Sequence, residues 1–84
     1  MMDAYDKLNE EFGKRVRTLR AQEGYSQEEF AQEAGIDRSY YGRIERGEAN
    51  PTLRNIAAIA SVFGISVTEL FEELPKTGRR KSHN

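Results

Sequence analysis

The apolar residues of this chain return every three or four positions, and nowhere do they alternate with polar ones over the length of a strand. That spacing restricts the fold to packed helices. Leu8, Phe12, Val16 and Leu19 form one stripe of a first helix that ends near Gly24. Ser26, with Glu29 three residues on, is a capping box for a second helix, and Gly35 stops it. Asp37 caps a third, which runs to Gly47. Asn50-Pro51 forces extended backbone, after which Thr52 caps a fourth helix with a stripe of Leu53, Ile56, Ala57, Ala60 and Phe63 and a stop at Gly64. Ser66 and Glu69 repeat the capping box for a short fifth helix carrying Leu70 and Phe71. From Pro75 onward no apolar residue appears, so residues 75–84 are expected to form a disordered basic tail. The expected fold is all-α, a compact five-helix bundle over residues 6–74.

Composition removes several function classes. There is no cysteine, so neither a disulfide framework nor a cysteine-based metal site is expected. His83, the single histidine, sits in the polar tail, away from any folded site where it could ligate a metal or act as a base. Acid–base catalysis needs paired carboxylates or a histidine in a pocket, and a bundle of this size offers neither. No catalytic residue, cofactor, metal or small-molecule ligand is expected. No apolar run approaches membrane-spanning length, and the first residues are acidic where a signal peptide is basic. A cytoplasmic protein is the expectation.

Charge is distributed unevenly. Lys76, Arg79, Arg80 and Lys81 lie together in the tail with no acid; taking these 4 from the 13 basic residues leaves 9 against 14 acids in residues 1–75. An acidic body gives no global attraction to a polyanion, so any nucleic-acid affinity must come from one local face.

The most informative stretch is QEEFAQEAGIDRSYYGRIER, Gln27 to Arg46. Two helices joined by a turn of about three residues must cross closely, which calls for a small residue at the contact; Ala31 sits there. The turn opens at Gly35, which accepts positive φ without strain. Phe30, Ala34, Ile36, Tyr41 and Ile44 then share one side, where other helices can cover them. Arg38, Ser39, Gly42, Arg43 and Arg46 face the other way.

With those residues in register, residues 12–71 resemble the repressor/Cro-type (XRE) helix-turn-helix family. The stretches FGKRVRTLR, GYSQEEFAQEAGI, YYGRIERGEANP and IAAIASVFGISVTELF carry the resemblance, and IERG followed by NPTL is its most specific part. The resemblance implies a five-helix domain that sets its third helix in the major groove of double-stranded operator DNA, usually as a homodimer. Arg38 and Ser39, at the N-terminus of that helix, then become base contacts, with Arg38 able to fork onto guanine O6 and N7. Arg43 reaches either a base or a phosphate. Tyr40 is open between DNA contact and packing. Gln27 is implied to bond a phosphate and brace Arg38, with Arg46 and Asn50 as further phosphate contacts. Glu48-Ala49 departs from the many relatives that carry a basic residue after the IERG turn.

The resemblance also pairs Arg20 with Glu45 as a partly buried salt bridge between the first and third helices. Ile65, Val67, Leu70 and Phe71 crowd seven residues; all are candidates for the core, but they are more than so short a helix can hide in one domain, so part of this set is expected to form a dimer surface. The function expected is a dimeric operator-binding transcriptional regulator, of a kind shared by restriction-modification controllers, phage repressors and small antitoxin-type regulators. The alternative is a protein-interaction adaptor built on the same fold.

Overall fold

Every helix begins on a side chain that accepts a hydrogen bond from the first turn's free N–H groups. Asp3, Ser26, Asp37, Thr52 and Ser66 fill these N-cap positions, and Asp3, Ser26 and Ser66 form reciprocal capping boxes with Asp6, Glu29 and Glu69. The computed structural model describes residues 3–72 and 74, and within these the helices are α1 (Ala4–Gln22), α2 (Gln27–Ala34), α3 (Arg38–Glu45), α4 (Leu53–Phe63) and α5 (Val67–Leu70). No strand occurs among the described residues. The first helix starts at Ala4, ahead of the expected boundary at residue 6, and the third ends at Glu45, short of Gly47. The expected tail, with its basic residues and His83, lies outside the described residues.

Phe30 is the centre of the core. Its ring meets Tyr25, Tyr41 and Phe63 with centroids 5.5, 5.2 and 4.8 Å away, separations at which aromatic pairs add to simple burial. Around it Val16, Tyr41, Ile44, Ile59 and Leu70 are enclosed, each from a different helix except the two on α3. Ala31 is buried where α2 meets α3, as the close crossing requires. The turn between them holds because Gly35 adopts φ +69°, and Ile36 then drops into the core.

The fourth helix is rotated from the expected stripe. Leu53 is 74% exposed and Ala57 is exposed, whereas Ile59, absent from that stripe, is fully buried. The inward face is Ile56, Ile59, Ala60 and Phe63, and Ala57 lies about 100° round the axis from Ile56. Leu53 is the first helical residue and lies ahead of the turn that meets the core.

Arg15 ties the last helix down. Its Nε donates to the carbonyl of Leu70 at 3.1 Å and its Nη2 to that of Glu69 at 2.9 Å, satisfying carbonyls that a helix end leaves free. No helix among the described residues is long and apolar enough to cross a membrane.

Candidate nucleic-acid interface

The geometry of this face is set by one buried carboxylate. Glu45 is 6% exposed and accepts from three side chains on all three of the first helices. Arg20 on α1 gives it Nε to Oε2 at 2.6 Å and Nη2 to Oε1 at 3.1 Å. Gln27 on α2 donates Nε2 to Oε1 at 2.9 Å, and Tyr41 on α3 donates its hydroxyl to Oε2 at 2.5 Å. Burial alone raises a carboxyl pKa, but the bonds from Arg20, Tyr41 and Gln27 outweigh it and hold Glu45 below the ordinary range. Arg20 is raised in turn, chiefly by its bond to Glu45. Burial, with the bond to Glu45, pushes the Tyr41 hydroxyl far above its usual pKa, so it stays a neutral donor. The expected Arg20–Glu45 pair is therefore present, within a larger network that aligns α2 and α3.

On the outer side of that network lies a shallow cleft of about 440 Å³ lined by Gln27, Arg38, Ser39, Gly42, Arg43 and Arg46. Asp37 caps Tyr40 N–H at 3.1 Å, which presents Arg38 and Ser39 at the exposed first turn of α3. Gly42 is buried on the floor: a methyl group there would come 3.1 Å from Arg46 Nη1. Three guanidinium groups thus converge on one concave patch of an otherwise acidic body, the local basic face a DNA-reading helix requires.

Some expected partners are different. Gln27 does not brace Arg38; its amide is bonded to Glu45, and Arg38 instead meets Glu28 at 3.6 Å. Tyr40 stands outside the cleft. Its hydroxyl donates to the Asn50 carbonyl at 3.1 Å, and its ring lies 6.0 Å from the Arg43 guanidinium, so it packs against the loop after α3. Asn50 is also apart from the cleft, accepting at Oδ1 from Asn9 Nδ2. Leu70 is wholly enclosed in its own domain, which leaves its side chain no surface for a second copy. Ile65, Val67 and Phe71 are half-buried, with Phe71 stacked on Phe12 at 5.2 Å.

Residues 16–70 match the helix-turn-helix family. The chain belongs to that family. As an XRE-type helix-turn-helix domain it is a DNA-binding transcriptional regulator and not an enzyme. The control protein C.MunI from Mycoplasma sp. is 39% identical over 66 residues, covering 77% of this chain and 89% of its own length. The restriction-modification controller protein C.AhdI from Aeromonas hydrophila superposes with a TM-score of 0.72 at 46% identity, over 75% of this chain and 96% of that one. SinR in complex with DNA superposes with a TM-score of 0.68 at 34% identity, over 73% of this chain and 98% of that one. Some helix-turn-helix relatives are longer: the chain spans 60% of SinR from Bacillus subtilis, to which it is 35% identical.

Three features of this helix-turn-helix domain escaped the sequence reading: Gly13 at the α1–α3 contact, the Arg15 clamp, and the bond from Gln27 to Glu45. The signal for Gly13 was available, since glycine in a helix interior costs about 1 kcal/mol unless packing demands it.

Proposed function

We propose that the chain acts in the cytoplasm as a homodimeric, sequence-specific operator-binding regulator of the restriction-modification controller kind. The observation that carries this reading is the cleft that gathers Arg38, Ser39, Arg43 and Arg46 on the face of α3 opposite its buried Tyr41 and Ile44. With α3 in the major groove, Arg38 and Ser39 reach base edges and Arg43 a base or the flanking phosphate. Arg46 and the free side of the Gln27 amide take phosphates, where the N-terminus of α2 adds its dipole. Asn50 keeps its side-chain N–H groups for the same purpose, its oxygen being bonded to Asn9. The similarity to C.MunI and C.AhdI supports the controller assignment.

Arg38→Ala is expected to relax specificity rather than abolish binding. Discrimination at one or two guanine positions falls by ~1–3 kcal/mol, while affinity for random duplex changes far less. Binding-site selection followed by fluorescence anisotropy measures both, and an unaltered base preference in the variant contradicts the reading.

The dimer surface is assigned to Ile65, Val67 and the open edge of Phe71. A two-fold pair built there sets two reading helices on successive major grooves, about 34 Å apart on a pseudo-palindromic site. Val67→Glu places a charge on that surface at the first turn of α5, where an acidic residue is well tolerated. Sedimentation at micromolar concentration is expected to show dimer for the parent and monomer for the variant, with operator affinity down at least about tenfold. A monomeric parent, free and on a two-half-site operator, removes the dimer.

A further inference from the structure

Glu48 makes two bonds to the arginines of the α3 face. Its carboxylate Oε1 accepts from Arg46 Nε at 3.1 Å, and its carbonyl accepts from Arg43 Nη2 at 3.0 Å. The residue is not a loose surface acid. Its own N–H donates to the Arg43 carbonyl at 2.8 Å, so main chain and guanidinium of Arg43 grip it from both sides. The turn before it is equally fixed: Gly47 has φ +75°, and a Cβ there would lie 2.8 Å from Glu10 Cα. The main chain that carries the carboxylate to Arg46 thus has little room to move.

We propose that Glu48 is a built-in phosphate mimic that sets how strongly the protein holds DNA of any sequence. This rests on the assignment of the α3 face to DNA. A carboxylate on Arg46 has the charge sign and acceptor geometry of a phosphate oxygen. The bond occupies Arg46 Nε and sets a neutralising charge beside the guanidinium, so DNA either displaces the carboxylate or meets a weakened cation with a like charge close to its phosphates. The toll falls on the backbone term, which supplies essentially all of non-specific affinity and carries no sequence information. Operator DNA recovers it through base contacts from Arg38 and Ser39, which Glu48 does not touch. An exposed ion pair adds little to stability, so the effect of this one falls on binding.

The test is Glu48→Gln, with binding to a random-sequence duplex measured by anisotropy across salt concentrations. The variant keeps the backbone bonds and the side-chain shape and loses only the charge. At 50 mM salt its affinity is expected to rise about three- to tenfold, and the slope of log affinity against log salt to steepen by about one, the signature of one more phosphate neutralised. In an Arg46→Ala background the same substitution is expected to gain less than about twofold. Glu72→Gln, the same charge change just past α5, is expected to leave affinity where it was. Parent-like affinity for Glu48→Gln overturns the proposal, and so does an equal gain in the Arg46→Ala background or with Glu72→Gln, either of which reports overall charge alone. If Arg43→Ala and Arg46→Ala each bind as the parent does, the α3 assignment falls and this inference falls with it.

Discussion

A methyl group on Gly13 is expected to lower the melting midpoint by roughly 5–15 °C, although glycine to alanine inside a helix ordinarily raises it. Two effects oppose each other. Alanine is favoured over glycine at a helix interior by about 1 kcal/mol, because it loses less backbone freedom on folding. Against this, the new Cβ would sit 2.5 Å from the carbonyl oxygens of both Ile44 and Glu45 and 2.8 Å from the Glu45 carbonyl carbon. These are backbone atoms of α3 and cannot swing aside as a flexible side chain would. Relief requires α1 and α3 to separate, and overpacking of that kind costs about 1–3 kcal/mol or more. The separation also stretches the Arg20–Glu45 bonds that join the same two helices, so the packing loss exceeds the propensity gain by about 1–2 kcal/mol. For a domain of this size each kcal/mol moves the midpoint by about 4–8 °C. Thermal melts of the parent and Gly13→Ala decide the matter, and an equal or higher midpoint in the variant shows that the α1–α3 contact can open without loss.

Why the helix starts were legible and the site's internal bonds were not follows from the range of each interaction. Capping at Ser26, Thr52 and Ser66 is settled within three residues of chain, so side-chain chemistry read in order was enough. The Gly35 turn is equally local. Facing of α4 is not: Leu53 and Ile59 are similar aliphatic residues, and which is buried depends on where α2 lies across the helix axis. Arg38, Ser39, Arg43 and Arg46 were legible because burial of Tyr41 and Ile44 on α3 fixes the opposite face by 100° steps alone. Partner choice among polar groups within reach lay beyond that geometry. Gln27 could address Arg38 or Glu45, and it takes Glu45 because that buried carboxylate has an acceptor site to fill, whereas Arg38 is exposed and already close to Glu28. Tyr40 was open between two roles on α3. Its bond to the Asn50 carbonyl, ten residues on, forms only once the loop closes.

Glu45→Gln is expected to destabilise the domain by about 3–5 kcal/mol at neutral pH. Size and shape are conserved in this change, so the loss isolates charge and hydrogen bonding. Glutamate offers acceptors at both oxygens, and four donor groups use them. Glutamine replaces one oxygen with an N–H₂ group that meets other donors, and it leaves the Arg20 guanidinium in a largely buried site without its counter-charge. Arg20→Met is expected to cost a comparable amount, since it also removes the 2.8 Å bond from Nη1 to the Tyr25 carbonyl. Pairing Arg20→Met with Glu45→Leu recovers part of the loss by removing both charges together, but it still orphans the Gln27 amide and the Tyr41 hydroxyl. The effect has a definite pH dependence. Glu45 has a lower pKa folded than unfolded, so its contribution is fully present above the ordinary carboxylate range and is lost as pH falls through the depressed folded value. The stability gap between the parent and Glu45→Gln should therefore be widest at pH 7 and shrink steadily as the solution is taken to about pH 3. Denaturant melts at both pH values measure that gap. A gap that stays constant into acid means that the charge on Glu45 contributes nothing and that the four hydrogen bonds alone hold α1, α2 and α3 in register.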